Sequence, residues 1–121
     1  MRLLEFAAAR ALRGLRSHIQ KNYLLAAVIV RKDGAIVVST NAVTQNPNPS
    51  AHAEARALKK ADFGAELYVA RVIRDGTWVM AKPCKTCQAL IRAKGIRKVY
   101  YTISLDNYGV WDVQSSKYPE E

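Results

Sequence analysis

The chain has 121 residues, half of them apolar and about a quarter charged. That composition excludes a disordered or fibrous polymer, and the length suffices to bury a core without disulfide staples. No apolar run approaches the roughly 20 residues that span a bilayer. The two cysteines are too few for a disulfide framework, so the expected setting is reducing and cytoplasmic, with no membrane association. A formal charge of +9 favours phosphorylated or polyanionic partners, which keeps nucleic acid in view beside a small-molecule substrate.

The first segment, "MRLLEFAAARALRGLRSHIQKN", is Arg-rich and amphipathic. Leu4, Ala8, Ala11, Leu12, Leu15 and Ile19 form one stripe, with Arg2, Arg10, Arg13 and Arg16 mostly on the other side. A transit peptide would share this pattern. The stripe reads instead as a helix packed on the core, because it runs into the first strand with no cleavage-like linker. "NYLLAAVIV" (22–30) is a near-continuous apolar run and predicts a central strand covered on both faces. "RKDG" predicts a hairpin turn, with Asp33 and Gly34 supplying the positive-φ positions, and "AIVVST" (35–40) the return strand.

"NAVTQNPNPS" (41–50) is too rich in Asn and Pro for regular structure. Ser50 then caps a helix through "AHAEARALKKA". "ELYVARVI" (66–73) predicts a third strand, and "RDGTWVMA" (74–81) a second Asp-Gly turn with a short extended piece. "CKTCQALIRAK" is helical and stops at Gly95. "IRKVYYTI" (96–103) is a fourth strand, "SLDN" a turn and "YGVWDV" (108–113) a fifth strand. The order implies an α/β protein: a three-layer α/β/α sandwich around a mixed sheet of four to five strands, opened by an antiparallel hairpin. Residues 1–113 form one domain, and 114–121 read as a flexible tail.

Two stretches carry chemistry. His52 and Glu54 fall on the first turn of the helix capped by Ser50. Cys84 and Cys87 fall on the first turn of another helix, behind Pro83. The positive ends of two such helices favour thiolates and a carboxylate. Cys84 and Cys87 stand three apart, so both sulfurs share a side. With His52 they make three ligands of zinc type, and three leave a position open for water, as in a catalytic site. Glu54, two residues from the histidine, is placed to shuttle that water's proton. A thioredoxin-like redox pair would put the CxxC after the first strand, whereas this one follows the third.

The motif "HAE", followed after residues 55–82 by "PCKTC", matches the H-x-E…P-C-x-x-C signature, and the chain resembles the cytidine deaminase superfamily of zinc-dependent nucleoside, nucleotide and nucleic-acid deaminases. The resemblance runs from the N-terminal helix through the strand holding Tyr100. It implies zinc on His52, Cys84 and Cys87, and Glu54 as the proton shuttle. It further implies substrate contacts from Asn41, from the backbone around Ala51 and Ala53, and from Pro83. Homo-oligomers are common in this superfamily.

The expected reaction is conversion of the cytosine of a nucleoside or nucleotide to uracil. Deamination of cytosine or adenine in single-stranded DNA or RNA is the alternative. A catalytically silent, zinc-stabilised partner protein is a third reading, and Glu54 argues against it. "PCKTCQALIRAKGIRKVYYT" resembles the nucleotide and tRNA branches. The short ending "TISLDNYGVWDV" instead suggests an antiparallel last strand, as in free-nucleoside enzymes. The insert "RVIRDGTWVMAKPC" is longer than the usual link. Arg71, Arg74, Lys82 and Lys85 suit a 5′-phosphate or polynucleotide backbone, whereas Arg92, Lys94, Arg97 and Lys98 read as a solvated face. Tyr100, Tyr101, Tyr108 and Trp111 offer a stacking platform or, more commonly for strand aromatics, core.

Overall fold

The computed structural model describes residues 2–12, 24–40, 57–73, 75–83 and 85–113. In chain order these form α1 (Arg2–Leu12), β1 (Leu24–Val30), β2 (Ile36–Thr40), β3 (Glu66–Val72), β4 (Trp78–Val79), α2 (Lys85–Ala93), β5 (Lys98–Ser104) and β6 (Asn107–Asp112). Among the described residues the sheet has six strands rather than four to five, in the order β2-β1-β3-β5-β6, with β4 paired to β3 beside β5. Of these pairs only β3–β5 is parallel; β1–β2, β1–β3, β3–β4 and β5–β6 are antiparallel. The last strand is therefore antiparallel, as its short connection implies.

Alternation along the strands sorts side chains into two cores. Ala26 and Val28 of β1 and Tyr68, Ala70 and Val72 of β3 pack under Leu4, Ala7, Ala8 and Ala11 of α1. The three alanines bring that helix close to the sheet, and the predicted stripe is its buried face as far as Leu12. Leu15 and Ile19 lie outside the described residues. On the other face Ala27, Ile29, Leu67, Val69, Val99, Tyr101 and Trp111 pack with Ile91 of α2 and with Ala57 and Leu58, where a helical turn ends. The Arg92 guanidinium lies 5.2 Å from the centre of the buried Trp111 ring and helps hold α2 on β6. The architecture is thus an α/β/α sandwich, and β1, buried on both faces, is the continuous apolar run that its sequence predicts.

Two Asp-Gly turns share one construction. Gly34 (φ 95°) and Gly76 (φ 92°) take the left-handed conformation. Asp33 and Asp75 do not; each instead uses Oδ1 to accept the N–H two residues on, Ala35 at 3.0 Å and Thr77 at 2.8 Å. The expectation that Asp33 shares the positive φ is corrected accordingly: aspartate serves as an acceptor, and glycine alone absorbs the strain.

Candidate active site

The parallel strands β3 and β5 pair from Glu66↔Lys98 to Val69↔Tyr101, then part. Into the opening comes β4, with Val79 opposite Arg71 and Trp78 opposite Val72. This is the carboxyl end of the parallel pair, where open α/β sheets leave a crevice for ligands. One side chain stitches it together. Thr102, wholly buried, accepts the Arg71 N–H at 3.2 Å and donates to Val79 O at 2.7 Å, while Thr102 O accepts the Ala81 N–H at 2.9 Å. Arg71 belongs, by alternation with Leu67 and Val69, to the face covered by α2, and its Nη1 donates to Met80 O at 3.3 Å.

From Ala81 the chain reaches α2 through Pro83, which is buried. Proline fixes its own φ and keeps the residue before it extended, so the helix starts cleanly behind it. Gln88, in the first turns of α2, donates Nε2–H back to Pro83 O at 2.8 Å and pins the approach. Cys87 lies on that first turn, wholly buried. The positive end of α2 favours a thiolate at this position while burial opposes one, and a cysteine sulfur has the chemistry of a zinc ligand.

Of the predicted site, Pro83 and Cys87 are placed together at this end of the sheet. His52, Glu54, Cys84, Asn41, Ala51 and Ala53 lie outside the described residues, although Thr40 ends β2 at this same end. Among the described residues no three metal-binding side chains converge. The basic residues divide. Arg71, Lys82 and Lys85 are at this end, Arg74 is outside the described residues, and Lys94, Arg97 and Lys98 are at the far end of the sheet. The aromatic residues divide too. Tyr101 and Trp111 are core on the α2 side, where burial raises the Tyr101 phenol pKa. Tyr100 stacks on Tyr68 on the opposite face, ring centres 4.5 Å apart, with the half-exposed Tyr108 tilted beside it. None of the four therefore forms a platform beside Cys87.

Thr102 and the β4 hairpin were not legible as site-shaping elements. A threonine in a strand is ordinary β-propensity, and only the register between β3 and β5 exposes the gap it fills.

The family model for the cytidine and deoxycytidylate deaminase zinc-binding region matches residues 2–103. The chain belongs to this family, and with the family comes the reaction class, hydrolytic deamination. Similar solved structures include cytidine deaminase from Burkholderia pseudomallei, at 20% identity and TM-score 0.65, covering 95% of this chain and 94% of that one. Cytidine deaminase from Mycobacterium leprae follows at 18% identity and TM-score 0.54, covering 93% of this chain and 95% of that one. A mutant cytidine deaminase from Mycobacterium tuberculosis gives 17% and 0.51, covering 84% and 88%. At such identities the likeness establishes the fold. No curated protein matches the chain.

Proposed function

We propose that the protein is a zinc-dependent deaminase that converts the cytosine of a nucleoside or nucleotide, such as cytidine, deoxycytidine or their monophosphates, to uracil with release of ammonia. The observation that carries this reading is the family match over residues 2–103, which spans both the "HAE" and "PCKTC" motifs. His52, Cys84 and Cys87 would hold the metal. Zinc bound by three protein side chains supplies an acidified water at neutral pH.

Glu54 accepts a proton from the water that attacks C4 of cytosine. It delivers that proton to the ring nitrogen, then carries the proton of the new C4 hydroxyl to the leaving amine, so that ammonia departs and a carbonyl stays. Asn41, the backbone at Ala51 and Ala53, and Pro83 orient the base and sugar. Cysteines kept as thiolate ligands suit a reducing, cytoplasmic compartment. No described helix is long and apolar enough to cross a membrane.

The +9 charge favours a second reading, deamination of a base in single-stranded nucleic acid. The test is a competition assay with zinc-loaded protein and a mixture of cytidine, deoxycytidine, their phosphates, adenosine and a cytosine-containing oligonucleotide, followed by mass spectrometry. Replacing the amine by a carbonyl adds about one mass unit. Conversion of free nucleoside or nucleotide supports the first reading, and conversion of the oligonucleotide alone supports the second. No conversion of any species contradicts both.

A further inference from the structure

At the end of the sheet remote from Cys87, where β1 finishes and β3 and β5 begin, lies a groove of about 530 Å³ lined by Val30, Arg31, Lys32, Phe63, Gly64, Glu66 and Arg97. β3 spans seven residues from this end to the other, roughly 20 Å of strand. The Arg31 guanidinium donates to Lys60 O at 2.6 Å, which brings the exposed Lys59–Lys60 turn to the rim. The Gly64 N–H donates to Gly95 O at 2.9 Å, which brings Lys94 to it as well.

The carboxylates here are engaged internally. Asp62 accepts the Lys32 N–H and lies 3.9 Å from Arg31, Asp33 accepts Arg31 and its own turn, and Glu66 accepts Arg97 and the Tyr68 hydroxyl. Among the described residues no carboxylate comes within ion-pair distance of Lys32, Lys59, Lys60 or Lys94. Amid these ammonium groups stands Phe63, 73% exposed. Its ring lies so close on Gly95 that a Cβ there would fall 2.4 Å from a ring carbon. The glycine gives the ring its seat and leaves the rest of it open.

We infer that this pole is a docking surface for single-stranded nucleic acid. Lysines with no carboxylate partner among the described residues are suited to neutralising phosphates with release of counterions. An exposed aromatic ring among them offers any base a face to stack on. The two features together fit a polyanion that also carries aromatic rings. The pole is far from the candidate active site, so the inference stands apart from the deaminase reading.

The test uses the full-length, zinc-loaded protein and a fluorescein-labelled oligothymidylate, which has no cytosine to turn over. Binding is followed by anisotropy across a salt titration, and cytidine turnover is measured in parallel. Wild type is expected to bind with an affinity that falls steeply as salt rises. K32E/K94E should weaken binding at least about ten-fold and flatten the salt dependence. F63A should weaken it about ten-fold while keeping the salt slope. Both variants should turn over cytidine as wild type does. Failure of wild type to bind, unchanged binding by K32E/K94E, or loss of binding together with cytidine turnover would each overturn the inference. Intact oligonucleotide binding by a wild-type protein that leaves every cytosine substrate untouched would uphold it and count against the deaminase reading.

Discussion

Thr102 of β5 and Arg71 of β3 are joined across the gap where their strands part: the Arg71 N–H donates to Thr102 Oγ1 at 3.2 Å, and the same hydroxyl donates to Val79 O at 2.7 Å. One buried hydroxyl thereby fixes three strands at the point from which the chain runs to Pro83 and α2. Thr102→Val keeps the shape and leaves a buried donor and acceptor unsatisfied. We expect a loss of about 1–3 kcal/mol, read from urea midpoints. A variant as stable as wild type would show that the bridge contributes nothing.

Gly109 of β6 faces Tyr101 of β5 across the ladder. A Cβ at that glycine would lie 2.6 Å from the tyrosine Cζ, and the ring is buried and cannot swing aside. Gly109→Ala should cost about 1–3 kcal/mol through overpacking. Thermal denaturation of this single variant decides the point, and an unchanged midpoint would mean that the strand shifts to make room.

The Tyr68 phenol pKa is raised, first by burial and then by its hydrogen bond to Glu66. The folded state therefore keeps this proton at pH values where the unfolded chain, with a phenol near about 10, has lost it. The associated stability is full below pH about 10 and is lost as pH rises above it. Urea midpoints measured near pH 8 and pH 11 should drop more for wild type than for Tyr68→Phe. Equal drops would move the effect to Tyr100 and Tyr101, whose phenol pKa values burial also raises.

Much of the fold was legible because its signals are local. The run of apolar residues in β1, the alanine-rich stripe of α1 and the Asp-Gly turns each announce an element within a few positions. Pro83 and Cys87 stood out in the sequence because proline and cysteine have few ordinary reasons to stand so close, and both lie at the carboxyl end of the parallel pair. β4 was not legible as part of the sheet. Trp78 and Val79 become a strand only because β3 and β5 diverge beside them, and the paired residues of those two strands, such as Glu66 and Lys98, are 32 apart in sequence. The basic residues read as a solvated face show the same limit of sequence distance. Lys94 and Arg97 are near Cys87 in sequence, but α2 carries the chain the length of the sheet before they appear.

Cys87 should matter to the metal more than to the core. Wild-type protein purified with zinc should lose thermal stability on chelation, because a ligand held by the native state alone stabilises it. Cys87→Ser should carry little zinc, and its midpoint should no longer respond to the chelator. Equal zinc content in variant and wild type would remove Cys87 from the ligand set.

The most direct test of the central claim compares wild type with Glu54→Ala on the best cytosine substrate, with zinc content and thermal midpoint measured on the same samples. The account predicts that the variant keeps its zinc and its fold, while turnover falls by about 100-fold to 10,000-fold, the contribution expected of a positioned acid–base group. A variant that holds zinc and turns over at the wild-type rate would contradict it.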